Sequence, residues 1–432
     1  MCGILGYLGS PPAEELAVLR DRLIHRGPDD GGLWTAPGIG LAQRRLSILD
    51  LSPEGHQPMS RGPLHLVYNG EIYNFQELRQ QLEASGHVFR GRSDTEVLLA
   101  GFLQWGVEAT LQRSNGMFAL ALWNERGRTL TLARDRYGNK PLYYGWQNQA
   151  WHFASELKAL HRPGLELDRQ ALTAYFRYGY VPAPQSIYQG IFKLPPAHLV
   201  VLEEGRRQVS PTRYWCLPEP DNTPATPEEL EEALLQSVQL RMLSDVPLGA
   251  FLSGGIDSSL VVALMQRLSS RPVQTFCIGF REVGYDESGF ARQVARQLGT
   301  EHHEMRVSAE EALSVVPKLA QIYDEPFADS SQIPTYLVSR LARQKVTVAL
   351  SGDGGDEIFG GYNRYLWGPR IWRWLRRVPL PLRQLLFELL SRLPLTLVRQ
   401  LPLRVPYPEE KLNKLLQLLP LRSPHELYIS LV

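Results

Sequence analysis

The sequence predicts two folds in series, an α+β half followed by an α/β half built on a mostly parallel sheet. Three observations carry this. Residues 116–155 read MFALALWN, TLTLARD, PLYYGW and AWHFAS, short strand-like runs separated by turn signals at 125–127 and 137–139. Residues 206–228 concentrate Pro, Thr and charge without periodicity, which is how an exposed connection is composed. Beyond them helices alternate with strands, the grammar of βαβ units.

The four runs at 116–155 predict an antiparallel meander. Before them, LHLVYNGEIYN at 64–74 reads as a strand then a turn, and DTEVLLAGFLQWG at 94–106 has helical spacing after Asp94, a residue type that caps helices. Past the connection come a helix at 228–243, strand PLGAFLS, helix SSLVVALMQRLS, strand VQTFCIGF, helix ESGFARQVARQLG, strand HHEMRV, a helix ending SRLARQ, and strand KVTVALS. The expected domains are therefore 2–205 and 229–432, joined by 206–228.

Composition narrows the function. With 46 Lys+Arg against 45 Asp+Glu the net charge is +1, so no charge imbalance points to nucleic acid or an anionic membrane. Cys2, Cys216 and Cys277 are too scattered for a disulfide framework or a zinc site, which fits a reducing cytoplasm. No signal peptide and no apolar run of about 18 residues is present, so a soluble, cytoplasmic protein is expected. Residues 361–404 are rich in Leu and Arg, but Pro369, Pro379, Pro381, Pro394 and Pro402 are expected to break them into short helices capping a domain. Membrane-surface binding is the rival reading of that basic stretch.

Cys2 follows the initiator Met. If the Met is removed, one residue offers a thiol and a free α-amine, a strong nucleophile beside its own base. The motifs HRGPDDGG at 25–32, RRLSILD at 44–50, YNGEIYNF at 68–75 and SDTEVLL at 93–99 follow in order. With them the first 200 or so residues resemble the class II glutamine amidotransferases, whose glutaminase domain is an N-terminal-nucleophile hydrolase, an αββα sandwich of two antiparallel sheets between helices. The resemblance implies that Cys2 attacks the glutamine amide and that the Asn69 side chain with the Gly70 backbone N–H receives the oxyanion. It further implies that Arg45 holds the substrate α-carboxylate, that Asp94 and the Glu71 region hold its α-amine, and that Ile48 lines the pocket. A zwitterion needs one fixed cation, one fixed anion and donors aimed at the developing charge. Asn69-Gly70 could instead be a hairpin turn, Arg45 a surface charge and Asp94 a mere cap. His25 is read as structural.

The segment FLSGGIDSSLVVALM at 251–265 reads as strand, glycine-rich turn and helix, a cradle that brings anions against unpaired helix N–H groups. It lacks GxxxxGK[ST] and GxGxxG, so neither a Walker-type NTPase nor a dinucleotide fold is indicated. SGGIDSS matches the PP-loop of the ATP pyrophosphatases. Together with SGDGGDEIFGGY at 351–362 and DEPFADSS at 324–331 it resembles the Rossmann-like synthetase domain of the glutamine-dependent asparagine synthetases. By that resemblance Phe251, Ser253, Gly254, Gly255, Asp257, Ser258, Ser259, Ile278, Ser351 and Gly352 bind ATP, Asp257 and Asp356 carry Mg²⁺ on the pyrophosphate, and Asp353 lies beside the acyl-adenylate. The alternative for the 356–357 carboxylates is a solvated loop.

Two departures stand out. Residue 353 is Asp where the better-known members carry Glu, and none of the seven lysines sits in a motif matching the family's adenylate lysine. The chain is accordingly expected to be a fragment or to have an incomplete second site. The resemblance implies ATP-dependent synthesis of asparagine from aspartate, with ammonia carried from glutamine through an internal tunnel and a β-aspartyl-AMP intermediate. A rival keeps both sites but uses another carboxylate acceptor, as β-lactam synthetase-like and polysaccharide-linked relatives do. A catalytically silent binding protein is a rival from another class, which the intact Cys2, Arg45, Asn69 and Asp94 set disfavours. The implied partners are glutamine, aspartate and ATP, without nucleic acid or membrane, and with room for a homodimer.

Overall fold

The structure, a computed structural model, describes residues 1–9, 13–162, 164–220, 223–280, 286–391, 413–414 and 416–431. The chain forms two compact units, Met1–Ser351 and Gly352–Val432.

The first unit opens with strands β1 (Gly3–Leu8), β2 (Asp30–Ala36), β3 (Ile39–Arg45), β4 (Met59–Arg61), β5 (Leu64–Ile72) and β6 (Gly116–Asn124). There follow β7 (Thr129–Arg134), β8 (Tyr143–Gln147), β9 (Ala150–Ala154), β10 (Ile191–Lys193), β11 (His198–Glu203) and β12 (Thr212–Arg213). They build two antiparallel sheets, ordered β10-β8-β9-β1-β3-β2 and β12-β11-β7-β6-β5-β4. The period-2 geometry of a strand sends alternate side chains to opposite faces. Ile4 and Leu8 of β1 therefore meet Ala119, Ala121 and Trp123 of β6 between the sheets. Leu5 and Tyr7 face outward onto a layer containing helix Ala13–Asp21 and helix Arg169–Tyr178, while Phe118, Leu120 and Leu122 face helices Phe75–Ala84 and Asp94–Trp105. The result is the expected αββα sandwich. Cutting the buried Phe118 to Ala would cost about 3–5 kcal/mol, through lost burial and the cavity left behind.

Two expectations need correction. The runs at 116–155 are strands, yet not one meander, since β6 and β7 pair in one sheet and β8 and β9 in the other. Strands buried on both faces carry no mark of which sheet they join. The crossing is fixed instead by buried Asp135, whose carboxylate accepts N–H bonds from Phe118, Tyr137, Asn139 and Lys140 at 2.9–3.2 Å. The helix at 94 is capped by Ser93, whose hydroxyl accepts from Glu96 N, leaving Asp94 inside the first turn and free for other work. Within 206–228, β12 pairs with β11, and Tyr214 is buried against the sandwich.

The rest of the first unit is an α/β layer with strands β13 (Leu248–Phe251), β14 (Gln274–Phe280), β15 (Glu301–Val307) and β16 (Val348–Leu350), all parallel and ordered β15-β14-β13-β16. Cys277 packs with the helices Ile256–Leu268 and Ser288–Leu298, while its neighbour Phe276 meets helix Gln332–Ala342 on the other face. Strand order reverses at β13, and it is at the carboxyl ends of the strands at such a reversal that sheets of this kind bind ligands.

In the second unit, helices Asn363–Leu375 and Leu380–Ser391 share a small core of Leu375, Leu416 and Leu419. Buried Arg383 ties this core by donating to the carbonyls of Val378, Leu419 and Leu421. Pro369 does not break its segment as expected, because it lies inside helix Asn363–Leu375, where a proline removes one hydrogen bond without ending the surrounding packing. Pro394 and Pro402 lie outside the described residues. Among the described residues no helix is long and apolar enough to cross a membrane.

Candidate functional site

Cys2 stands at the head of β1, a central strand. Because Gly3 pairs with Arg44 across β1 and β3, the register sets Cys2 at the same sheet edge as Arg45. The Cys2 thiol points at Leu46 O, 3.7 Å away. Burial pushes the thiol's pKa up, against the pull of the nearby α-amine. That amine, on Met1, is itself brought down to about 6, chiefly because burial disfavours its charged form.

Arg45 is buried rather than a surface charge. Its Nη2 donates to Asp50 O at 2.6 Å and Leu49 O at 3.1 Å, which fixes the guanidinium while leaving its other nitrogens for a ligand. Any side chain at Gly55 would strike it, since a Cβ there would lie 2.0 Å from Nη2. Ile48 sits half-buried in the same loop. Arg45, Ser47, Leu51, Ser52 and His56 line a cleft of about 810 Å³.

Asn69 and Gly70 are not a hairpin turn, because β5 runs straight through them in register with β6. The Asn69 side chain is buried and its Nδ2 has no hydrogen-bond partner, a donor held ready without an acceptor. A Cβ on Gly70 would lie 2.3 Å from Met117 O, so only glycine fits beside it. Asp94 Oδ2 accepts from the Tyr68 hydroxyl at 2.8 Å and from Ile72 N at 2.9 Å. Burial still raises the pKa of Asp94, and it raises that of Glu71 strongly, with the Asp94 charge adding to the effect. Two carboxyls so placed favour a cation between them.

The second candidate site begins at the end of β13. Gly254 adopts φ +83°, and a Cβ there would strike Ala291 N at 2.6 Å, so the turn presses on the next helix as only glycine allows. Ser253 and Ser258 hydroxyls bond at 2.9 Å across the turn and brace it. Gly255 caps the helix without a side-chain bond, which leaves N–H groups of the first turn open. The Ser259 hydroxyl is buried without a partner. Asp257 occupies that first turn, Phe251 ends β13, Ile278 lies in β14 and Ser351 follows β16. Gly352, Asp353 and Asp356 belong to the second unit, where Asp353 is exposed and Asp356 lies in helix Gly355–Phe359.

Among the described residues no three His, Cys, Asp or Glu side chains converge on a metal site. The carboxylates of Asp257 and Asp356 are hard oxygen donors of the kind Mg²⁺ takes beside phosphates.

Some residues of the first site were not singled out from sequence. Arg26 donates to Cys2 O at 2.8 Å, and Lys140 carries a pKa lowered by burial within electrostatic reach of Cys2 and Glu71. Arg26 lay in the HRG motif and could have been found there. Lys140 stood between the turn signal at 137–139 and the run PLYYGW, in neither. His25 bonds Glu156 at 2.9 Å and supports Arg26, in keeping with a structural role.

Sandwich and site define an N-terminal-nucleophile fold of the glutamine amidotransferase type, joined to a parallel-sheet domain. The family described as glutamine amidotransferase domain matches residues 1–215, and that described as asparagine synthase matches 229–425. The chain is 37% identical over 91% of its length to asparagine synthetase [glutamine-hydrolyzing] 1 of Bacillus subtilis, and 38% over 89% to a putative asparagine synthetase [glutamine-hydrolyzing] 2 of Methanocaldococcus jannaschii. It spans 64% and 79% of those relatives' lengths. A solved glutamine phosphoribosylpyrophosphate amidotransferase from B. subtilis, complexed with ADP and GMP, is matched at 18% identity and TM-score 0.38 over 70% of this chain and 65% of that one, too distant to bear on the site. The chain belongs to the glutamine-hydrolysing asparagine synthetase family.

Proposed function

We propose that this protein hydrolyses glutamine at Cys2 and uses the ammonia to convert aspartate to asparagine at the expense of ATP. The observation that carries the first step is the buried, unpartnered Asn69 Nδ2 in the strand facing the nucleophile's sheet. An unsatisfied buried donor costs about 1–3 kcal/mol, and an oxyanion formed beside it recovers that cost in the transition state.

With Met1 removed, the α-amine of Cys2 occupies the desolvated neighbourhood that brings the Met1 amine to about 6. In its neutral form it takes the thiol proton as sulfur attacks the glutamine amide carbon. The Asn69 amide and Gly70 N–H receive the oxyanion. The proton passes to the departing ammonia, leaving a thioester that water cleaves to glutamate. Arg45 pairs with the substrate carboxylate, while Asp94 and Glu71 take its ammonium and so regain the charged form that burial disfavours.

A cleft of about 740 Å³ lined by Met1, Arg26 and Leu46 on one side and by Phe251, Tyr336 and Ala349 on the other supports passage of ammonia toward the parallel sheet. There the aspartate β-carboxylate attacks the α-phosphorus of ATP, pyrophosphate leaves, and ammonia displaces AMP from the β-aspartyl-AMP. The glycine turn and Ser259 hydroxyl cradle the phosphates. Mg²⁺, held by Asp257 and Asp356, would offset charge on the pyrophosphate, and Asp353 would lie beside the adenylate. The domains would divide at 206–228, as the sequence suggests.

The test is to incubate the purified protein with glutamine, aspartate and Mg-ATP and to follow glutamate, pyrophosphate and asparagine separately. Glutamate is expected in every case; asparagine in proportion to it is expected only where the second site is complete within these residues, and then from aspartate and no other carboxylate. Another carboxylate consumed in preference to aspartate would overturn the acceptor assignment, and no glutamate formation would overturn the whole reading.

A further inference from the structure

The acidic pair that opens DEPFADSS does not turn toward the phosphate loop. Both side chains face the sandwich. Glu325 accepts from Ile187 N at 2.7 Å and from the Tyr143 hydroxyl at 3.2 Å, and pairs with Lys193 at 2.5 Å. Asp324 accepts from Lys158 N at 2.8 Å and pairs with Lys158 Nζ at 3.1 Å.

Lys158 is where the contacts branch. Its Nζ has three protons and three acceptors, Asp324, Gln321 O at 3.0 Å and Glu156 at 3.0 Å. Glu156 in turn pairs with Arg26 Nη1 at 2.6 Å, and Arg26 Nε donates to the carbonyl of Cys2 at 2.8 Å. A continuous series of charge-assisted bonds thus runs from Asp324 through Lys158, Glu156 and Arg26 to the backbone of the nucleophile. Side-chain exposure along it is 10%, 25%, 15% and 8%, so solvent screens these charges weakly.

We propose that Asp324, Lys158, Glu156 and Arg26 are positioning residues that make the reactivity of Cys2 depend on the placement of the 324–331 segment. The proposal rests on Cys2 being the glutaminase nucleophile and goes beyond it. When the segment shifts and Asp324 withdraws, the Lys158 ammonium must turn that N–H to another acceptor. The pull on Glu156 changes, and with it the grip of Arg26 on Cys2 O. Because the links are reciprocal, a ligand on Cys2 would also bias the segment. A double-mutant cycle measures the coupling.

The readout is the rate at which iodoacetamide alkylates Cys2 in the full chain, followed by mass spectrometry of the peptide carrying that residue. It needs neither glutamine turnover nor ATP, so it fails independently of the proposed function, which is tested by glutamate release. Asp324→Asn is expected to change the Cys2 rate about five-fold or more, the lower range of site-to-site coupling. In a Lys158→Met background the same substitution should have no further effect. Lys158→Arg should restore at least part of the dependence, and circular dichroism with thermal melting checks that each variant is folded. Equal effects of Asp324→Asn with and without Lys158, in folded proteins, would overturn the relay. So would an unchanged Cys2 rate in Asp324→Asn.

Discussion

Asp245, from the α/β half, accepts the backbone N–H of Asp50 on its carboxylate at 2.8 Å, while its own N–H donates to Ile48 O at 3.0 Å. The clamp falls on the loop whose carbonyls hold Arg45. Asp50 itself is in a left-handed conformation, φ +57°, stabilised because its carboxylate accepts from Ser52 N, the Ser52 hydroxyl and Arg92 N. One half of the protein therefore shapes the proposed carboxylate anchor of the other.

Asp245→Ala should raise KM for glutamine about ten-fold with little change in kcat. A bond from a charged acceptor is worth about 1.5–3 kcal/mol, and what it supports here is binding shared by ground and transition states. Steady-state glutaminase kinetics check this. A fall in kcat at constant KM would contradict it.

Cys2→Ala should abolish glutamine hydrolysis, and in a chain whose second site is complete it should leave synthesis from free ammonia intact. Asn69→Ala should instead lower kcat about 10²–10³-fold with KM little changed, the loss expected of one oxyanion donor. Glutamate release with glutamine, and asparagine formation with ammonium chloride, separate the two variants.

Asp257→Asn or Asp356→Asn should strongly reduce Mg-ATP use and spare the glutaminase. Pyrophosphate and glutamate followed in one reaction decide it. If both fall together in a folded protein, the division into two sites is wrong.

Stability should fall on acidification in two stages. Burial brings His152 from 6.5 down to about 4, so between those values the unfolded chain binds a proton that the native one refuses, and stability drops as pH falls. The contribution is about 3 kcal/mol at most. Burial would raise Glu156, but its bonds to His25 and Arg26 outweigh this and hold it at about 2, so its contribution is intact above 4.5 and lost toward 2. Melting temperatures from pH 7 to 4 should show a slope that His152→Gln removes. An unchanged slope would rule out His152 as its source.

Much of this was legible in the residues alone. The strand-like runs at 116–155, the glycine turn after β13 and the helix–strand rhythm of the second half are local patterns, set by side-chain period and backbone sterics that depend on nearby sequence. Ordered short motifs likewise marked Cys2, Arg45, Asn69 and Asp94. Tertiary structure decided what local chemistry left open. β6–β7 and β8–β9 carry the same apolar signature, and only packing and the four bonds to Asp135 assign them to different sheets. Asp94 looks like a cap in sequence, but Ser93 takes that place and turns Asp94 inward to Tyr68. Asp245, Lys158 and Asp324 bear no motif that names their partners, because each pairs with a residue more than a hundred positions away, or joins groups that are. Contacts at that separation arise from how the two halves dock, a choice made by the summed fit of their surfaces and not by any short stretch of chain.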